Sequence, residues 1–456
     1  MSHQIFFAPL ALLPSGWQKN VFIEVSQGQI IRVAENQPPP ADARILNGPV
    51  LPTMTNLHSH AFQRIMAGLS EVSLNPNDNF WSWRDTMYKL VAKLTPDDVE
   101  TIATELYIDM LKAGYGQVVE FNYLHHSPDG QRYSDPAEMN RRLLQASDTT
   151  GLGITLAPVL YSYGGFGEQP CNQAQQRFYH ATDEYLRLHE LLAPQVKQAS
   201  LTQKLALCFH SIRAVNAEQI NQILAHQQHN IPVHIHIAEQ QKEVSDCLAH
   251  YGQRPVEWLF NNTNVTPDWC LIHATHLNKE EICKLARSQA VAGLCPTTEA
   301  NLGDGIFPAQ SFIAEQGRIG IGSDSHVGLS VAEELRLLEY SQRLQAQQRN
   351  RLYTTEQPAV GDYLFNACLQ GGAQAAGIQS GLCPGSRADF MTLNNELAEI
   401  AGAQPSQLLN RWIFACRENP VKDVYIAGQQ RIFSGQHPHQ QTSRESYIAL
   451  QHRLKL

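Results

Sequence analysis

The segment IPVHIHIAE, residues 231–239, is a short apolar run that carries His236 and Glu239 at its end. Seven other segments have the same form: VLPTMTNLHSH (50–60), GQVVEFNY (116–123), GITLAPVLYS (153–162), LALCFHSI (205–212), WCLIHATH (269–276), AVAGLCPTT (290–298) and GRIGIGSDSH (317–326). Helix-like stretches separate them, among them residues 97–112, 217–226 and 279–288. This alternation predicts an α/β protein, either a (β/α)8 barrel or a doubly wound open sheet.

The polar residues of these segments favour the barrel. They cluster at the carboxyl ends of the runs, and the set is His58, His60, Tyr123, His210, His236, Glu239, His273 and Asp324. In a barrel those ends converge on one face, where such folds place their chemistry, whereas an open sheet would spread them along an edge. We therefore expect a TIM-like (β/α)8 barrel with its active site at that face.

The two ends of the chain predict a second, smaller unit. Strand-like pieces occur near the start (VFIEV, IIRVA) and near the end (DFMTL, DVYIAGQQRIF), with Gly428 placed for a hairpin turn. Neither end has enough apolar residues for a core of its own. We expect residues 1–50 and 384–456 to pair into a small β-sandwich domain, and residues 51–383 to form the barrel.

Composition narrows the classes of partner and the location. The chain has 456 residues and a net charge of −9, which argues against a nucleic-acid surface. We find no uninterrupted apolar run of about 18 residues and no basic region before the first apolar stretch, so we expect neither a membrane helix nor a signal peptide. The nine cysteines are scattered without a CxxC pair, which predicts reduced thiols in the cytoplasm.

His58 and His60 are the first candidates for a metal site. They lie two residues apart at a strand end, so both imidazoles point to the same side, although the pair alone also fits two hydrogen-bonded or exposed histidines. With His236 and Asp324 they make three nitrogens and one carboxylate, a set that suits a catalytic zinc ion with an open position. Asp324 has an alternative interpretation as the N-cap of a helix that begins near Ser330.

Glu239 and His273 are candidates for proton transfer beside that metal. A partly buried carboxyl has a raised pKa and can carry a proton, although Glu239 could equally be a salt-bridged loop residue. His273 ends the sixth run and is nearer to the expected strand end than His276, which we interpret as structural. His234 lies deeper in its strand and is expected to belong to the core.

These motifs resemble the amidohydrolase superfamily, and specifically its mononuclear zinc deaminases. The matching residues are His58, His60, His236, Glu239, His273 and Asp324, and the tail PGSRADFMTL resembles that superfamily's return to its small β-domain. Binuclear members carry a carboxylated lysine at the end of the fourth strand, whereas Lys204 here lies at the wrong end of that strand. The resemblance therefore implies one zinc ion per subunit.

Five longer segments resemble more closely the superfamily members that convert N-formimino-L-glutamate and water into N-formyl-L-glutamate and ammonia in bacterial histidine degradation. These segments are NLHSHAFQR, NPNDNFWSWR, CFHSIRAV, VHIHIAEQQKEV and TEANLGDGIFPA. The resemblance implies a small dicarboxylate substrate, a homodimer, and Glu239, His273 and Asp324 as catalytic groups. The substrate contacts that it implies are Gln63, Arg84, Tyr123, His210 and Arg213. Arg suits a carboxylate because its planar guanidinium forms two parallel hydrogen bonds.

Two other functions fit the same barrel. A related deaminase acting on a heterocycle or another amidine would need aromatic stacking and amide groups, and would have little use for paired guanidiniums. A metal-binding scaffold without activity would need no proton-transfer pair, so the presence of both Glu239 and His273 argues against it.

Overall fold

A computed structural model describes residues 3–72, 79–199, 201–226 and 230–456. Its strands are β1 Gln4–Leu13, β2 Gly16–Ser26, β3 Gln29–Ala34, β4 Arg44–Ile45, β5 Val50–Pro52, β6 Met54–Ser59, β7 Tyr115–Asn122, β8 Gly153–Leu160, β9 Gln203–Leu205, β10 Leu207–Ser211, β11 Val233–Ile237, β12 Trp269–His273, β13 Val291–Leu294, β14 Arg318–Ile321, β15 Phe390–Leu393, β16 Val421–Ile426 and β17 Gln429–Ile432.

The α-helices are α1 Phe80–Val91, α2 Pro96–Lys112, α3 Glu138–Thr150, α4 Thr182–Ala199, α5 Ala217–His226, α6 Gln241–Tyr251, α7 Pro255–Asn262, α8 Lys279–Ser288, α9 Pro296–Leu302, α10 Ala309–Ala314, α11 Val331–Ala346, α12 Val360–Ala376, α13 Ala398–Ala401, α14 Leu408–Phe414 and α15 Gln440–Leu454. Short 3₁₀ helices cover Ala61–Met66, Gln173–Gln175 and Pro405–Gln407. Among the residues described, no helix is long and apolar enough to cross a membrane.

Eight parallel strands form the barrel. Their order around it is β6, β7, β8, β10, β11, β12, β13 and β14, and the short β9, just before β10 in the chain, pairs with β8. The two ends of this sheet meet in a parallel bridge between Ser59 and Asp324. The Asp324 N–H donates to the His58 carbonyl at 3.0 Å, and the His60 N–H donates to the Asp324 carbonyl at 3.1 Å. The predicted (β/α)8 barrel is confirmed.

Each of the eight predicted runs contains one barrel strand, and the three helix-like stretches are α2, α5 and α8. The strands read as continuous apolar runs because both faces of a parallel barrel sheet are covered, and every residue of β7, β8 and β11 is buried. The start of α2 follows from local chemistry: Thr95 and Asp98 form a capping box, and Pro96 occupies the first turn.

The chain ends form one further sheet, in the order β17-β16-β15-β5-β1-β2-β3, with β4 paired to β1. Its central ladder joins β5 near the start of the chain to β15 near its end. Ala427 and Gly428 make the hairpin turn between β16 and β17, and both have positive φ, 50° and 74°. The predicted β-unit built from both ends is confirmed, and hydrogen bonds join its strands into one continuous sheet.

The C-terminal helix α15 lies against the barrel helix α2. Arg453 pairs with Asp98, and Arg444 lies 3.6 Å from Glu105. The division of the chain into residues 1–50 plus 384–456 and residues 51–383 stays a proposal. Within the smaller unit, α15 contacts α2, and α14 contacts α11 and α12.

Arg387 connects the terminal sheet to the barrel. Its guanidinium pairs with Asp389, just before β15, and donates to the carbonyls of Leu201 at 2.8 Å and Gly116 at 3.1 Å. The Arg387 side chain and Gly116 are buried, so water does not readily replace the guanidinium there, whereas Leu201 is partly exposed. A single residue of the C-terminal segment therefore satisfies backbone groups on two barrel elements.

We expect Arg387→Met to lower the free energy of unfolding by about 3 kcal/mol, because Asp389 loses its ion pair and the carbonyls of Leu201 and Gly116 lose a hydrogen-bond donor. Urea denaturation measures this change. Arg417→Met, at an exposed arginine, is the control and should stay within about 0.5 kcal/mol of the unmodified chain. Equal effects of the two substitutions would contradict the assigned role of Arg387.

Candidate active site

Four side chains meet where the barrel closes. The Nε2 atoms of His58 and His236 lie 3.1 Å apart, and Asp324 Oδ1 lies 3.3 Å from His58 Nε2 and 3.4 Å from His60 Nε2. A tetrahedral site with zinc–nitrogen bonds of about 2.0–2.1 Å places neighbouring ligand atoms roughly 3.3 Å apart. The three nitrogens and the carboxylate oxygen therefore fit one divalent cation, and His58, His60 and Asp324 form one of the groups able to hold a metal ion.

The hydrogen bonds of two histidines fix which ring nitrogen faces the centre. His60 Nδ1 lies 2.8 Å from the Phe121 carbonyl, and His236 Nδ1 lies 2.9 Å from the His210 carbonyl. A nitrogen that faces a carbonyl must carry the proton and donate it, so the lone pair is on Nε2. This arrangement, in which one ring nitrogen is held by a carbonyl and the other is free to bind, is typical of metal-binding histidines.

Burial keeps these imidazoles neutral. It lowers the pKa of His58 to about 3 and also lowers the pKa values of His60 and His236. Burial opposes ionisation of Asp324 too, but the hydrogen bond from His58 and the neighbouring histidines hold the pKa of this carboxyl below its usual range. The set therefore offers neutral imidazole and ionised carboxylate, the protonation states that metal ions need.

Glu120 supports the strand that carries His58 and His60. One of its oxygens accepts hydrogen bonds from the Ser59 hydroxyl at 2.6 Å and the Tyr107 hydroxyl at 3.0 Å, and the other accepts from the Ala61 N–H at 2.7 Å. Glu120 is thereby hydrogen-bonded to the residues on both sides of His60.

His273 lies among three carboxylates, one of which belongs to Asp324. Its Nε2 is 3.8 Å from Glu239 Oε1 and 3.8 Å from Asp324 Oδ2, and its Nδ1 is 3.3 Å from Glu299 Oε1. Burial lowers the pKa of His273, but Glu239, Glu299 and Asp324 outweigh it and raise that pKa to about 10. Burial raises the pKa of Glu239 to about 7 against the opposing charge of His273. Both side chains can therefore hold a proton near neutral pH.

His273 and Asp324 have an unusual backbone conformation. Their φ values are 67° and 47°, in the left-handed region that residues other than glycine rarely adopt. Both lie at the point where a strand ends, and the change of direction turns their side chains into the barrel mouth. Strained conformations of this kind cluster at functional sites because the surrounding structure must hold them in place.

Two guanidiniums define the far end of the pocket. Arg84 comes from α1 and Arg213 follows β10, and both line the cavity above the metal donors. Their charges lie 4.6 Å and 5.8 Å from the centre of the Trp81 ring. Within the described ranges, neither guanidinium forms an ion pair, and the Nε atom of each is buried without a hydrogen-bond partner. The pocket thus has a cationic end suited to carboxylates.

The remaining predicted contacts line the same cavity. Gln63 donates to the Tyr123 hydroxyl at 2.9 Å, and His210 lies beside Tyr123 with ring centres 5.7 Å apart. All eight predicted catalytic and substrate-binding residues face this pocket, whose walls also include aromatic rings. The aromatic wall residues are Phe80, Trp83, Tyr88, Tyr161 and Phe178. Of the segment NPNDNFWSWR that suggested Arg84, residues 75–78 lie outside the described part of the chain.

His234 and His276 lie away from this centre. His234 Nε2 meets the Ala375 carbonyl at 2.8 Å within the core, and His276 Nε2 meets the Asp304 carbonyl at 2.8 Å. Ser330 is itself the N-cap of α11, so the alternative interpretation of Asp324 as that cap does not hold.

Sequence reasoning missed two carboxyls beside His273. Glu299 accepts from the Cys295 N–H at 2.8 Å and contacts His273, while the buried Asp304 has ligand atoms within 4.8 Å of those of Glu239 and His273. Glu299 directly follows the seventh run, AVAGLCPTT, so the rule that selected the other strand-end residues could have found it. Asp304 lies beyond α9 and follows no strand end, although the segment TEANLGDGIFPA that carries the resemblance contains both carboxyls.

Comparisons with known proteins agree with this geometry. The model of the Amidohydrolase family matches residues 50–431, and the model described as Formimidoylglutamate deiminase HutF, N-terminal domain, matches residues 3–44. The chain is 52% identical over 443 residues to a Pseudomonas aeruginosa protein named formimidoylglutamate deiminase, covering 97% of each chain.

Solved structures give the same result. A crystal structure of an amidohydrolase from Brucella melitensis matches with a TM-score of 0.94 and 41% identity over 99% of this chain and 100% of that one. An adenosine deaminase from Xanthomonas campestris with bound zinc shares the fold, with a TM-score of 0.81 and 20% identity over 99% and 98% of the two chains. The chain therefore belongs to the amidohydrolase family and, within that family, to the formimidoylglutamate deiminases.

Proposed function

We propose that this chain hydrolyses N-formimino-L-glutamate to N-formyl-L-glutamate and ammonia, a step of histidine degradation. The observation that carries the proposal is the pair of guanidiniums, Arg84 and Arg213, which lack carboxylate partners in the described structure and face a centre suited to metal-assisted hydrolysis. The substrate has two carboxylates and one amidine, so it matches both ends of the pocket. The relative of the same name in Pseudomonas aeruginosa supports this choice.

A heterocyclic or other amidine substrate is the alternative. The aromatic walls of the pocket could hold a flat ring. A neutral heterocycle, however, would cover the two half-buried guanidiniums and leave them without an anion, at a cost in desolvation. The charge of the pocket therefore favours an anionic substrate.

We further infer one zinc ion per subunit, held by His58, His60, His236 and Asp324. Neutral imidazole nitrogens with one carboxylate oxygen are ligands that zinc prefers, and a fold relative was solved with zinc bound. When bound, zinc acts as a Lewis acid and lowers the pKa of water from about 15.7 to about 7.

The protein groups then move protons. A water oxygen bonds to the formimino carbon, the bond from that carbon to its terminal nitrogen breaks, and the nitrogen leaves as ammonia. Asp324 Oδ2 accepts the proton that the water loses, and His273, which its raised pKa keeps protonated at neutral pH, donates toward the water oxygen from Nε2, 3.8 Å from Asp324 Oδ2. Glu239 delivers a proton to the departing nitrogen, and its pKa of about 7 suits that transfer at neutral pH.

We also infer the oligomeric state and the location of the protein. The homodimer rests on resemblance to other members of the group. A cytoplasmic location accords with nine free cysteines, because a reducing compartment keeps thiols unpaired.

We expect purified protein to contain one zinc ion per chain and to release ammonia from N-formimino-L-glutamate. Metal analysis checks the zinc content. An ammonia assay, in which formiminoaspartate, guanine, adenosine and cytosine are tested as alternative substrates, checks the activity. Release from guanine, adenosine or cytosine but not from formiminoglutamate would establish the alternative, and metal without any ammonia would indicate an inactive scaffold.

We expect Glu239→Gln and His273→Asn to lower kcat by about 10²- to 10⁴-fold, the range for loss of a proton-transfer group, while zinc content stays near one. The matched variants His236→Asn and Asp324→Asn should lose zinc as well as activity, because each removes a ligand. Zinc content and kcat measured on the same preparations separate the two groups. Loss of zinc from the Glu239 variant would refute its role.

We expect Arg84→Met and Arg213→Met to raise KM for formiminoglutamate about tenfold to hundredfold each. A charge-assisted hydrogen bond contributes about 1.5–3 kcal/mol, and every 1.4 kcal/mol is tenfold in affinity. Steady-state kinetics measures the effect, with Arg417→Met as the control at an exposed site. An unchanged KM in both variants would show that the guanidiniums do not bind the substrate carboxylates.

A further inference from the structure

Arg177 is a buried arginine without a carboxylate partner. Its side chain is 2% exposed, and no ion pair joins it to a carboxylate in the described ranges of the chain. Its donors go to backbone carbonyls: Nε to His126 at 2.9 Å, Nη2 to Leu94 at 2.7 Å, and Nη1 to Val91. The phenol of Tyr133 adds a further contact.

Such a residue is costly to keep. A buried cation loses its hydration, and here the charge of Asp98 offsets only part of that loss, without an ion pair. Burial accordingly lowers the pKa of Arg177 from its usual value. Only the planar guanidinium of arginine can donate to three carbonyls that lie in different directions. The role of Arg177 therefore depends on which segments of the chain these carbonyls belong to.

The three carbonyls belong to two walls of the pocket. Val91 is the last residue of α1, where carbonyl oxygens carry the negative end of the helix dipole, and its carbonyl also accepts from the Leu94 N–H at 3.1 Å. Leu94 lies in the turn that follows. His126 lies in the loop after β7, close to Tyr123. Arg177 therefore connects the carboxyl end of α1 through hydrogen bonds to the loop after β7.

Phe178, the next residue, contacts the same two segments. The ring of Phe178 packs against Tyr123 at 5.1 Å and against Tyr88 of α1 at 5.7 Å between ring centres. The same α1 carries Arg84 at its middle. Fixing the end of this helix therefore fixes the position of one of the two guanidiniums at the cationic end.

The metal donors lie elsewhere. They belong to β6, β11 and the segment after β14, and the hydrogen bonds of Arg177 reach none of these elements. A change at Arg177 can therefore move α1 while the metal centre keeps its geometry.

We propose that Arg177 is a positioning residue for substrate binding, which anchors α1 so that Arg84 meets the substrate carboxylate. This role rests on the proposed function, because it assigns to α1 a part in binding formiminoglutamate.

The test uses Arg177→Lys and Arg177→Met in the full-length protein. Both should raise KM for formiminoglutamate about tenfold or more, while kcat stays within about threefold and zinc content is unchanged. Lysine keeps the charge but cannot reach three carbonyls, so its KM should resemble that of the methionine variant. Backbone amides of residues 80–91 should exchange with solvent faster in both variants than in the unmodified protein.

Arg387→Lys is the matched control, since it alters another buried arginine that donates to backbone carbonyls, none of them in α1. It should lower the thermal midpoint without raising KM. An unchanged KM in both Arg177 variants, or a fall in kcat with loss of zinc, would overturn the proposal. If the unmodified protein releases no ammonia, the proposed function fails, whereas unchanged amide exchange in residues 80–91 would count against the anchoring itself.

Discussion

The closure of the barrel is the constraint on which the site depends. His58 and His60 lie at the end of the first barrel strand, and Asp324 follows the last one, 264 residues beyond His60 along the chain. Two backbone hydrogen bonds between these segments bring the side chains together, and Asp324 then turns its carboxylate inward through a left-handed φ of 47°. His236 joins them from β11. The register of the barrel strands therefore determines where these four side chains lie, and leaves each of them little freedom to move.

Around this centre the buried charges are separated by sign. Carboxyl groups surround His273 at the end near the metal donors, and guanidiniums occupy the end near α1. Because a protein interior screens charge weakly, this separation of charge produces an electric field along the cavity. A substrate with carboxylates at one end and a nitrogen that leaves as ammonia at the other is oriented by the field before any close contact forms. Trp81 supports the cationic end, since its ring face lies near both guanidiniums.

Much of this could be predicted from the sequence, for identifiable reasons. Apolar runs ending in polar residues are local signals, so all eight barrel strands could be predicted from the sequence, as could the strand-end side chains that gather at one centre. Glu299 and Asp304 are different, because their proximity to His273 depends on how the chain turns after β13. Arg177 is harder still: an arginine in a loop looks exposed in sequence, and only the fold shows that three distant carbonyls surround it. The packing of α15 on α2 likewise depends on tertiary contacts that no local pattern encodes.

The ladder between β5 and β15 has a consequence for how the protein is made. Residues 50–52 pair with residues 390–392, so the edge of β5 has no partner until most of the chain has left the ribosome. An unpaired strand edge is a template for association with other chains. β5 is only three residues long and ends in Pro52, two features that make an open edge a poor template. The edge that the nascent chain leaves unpaired until β15 is made is therefore short and ends in proline.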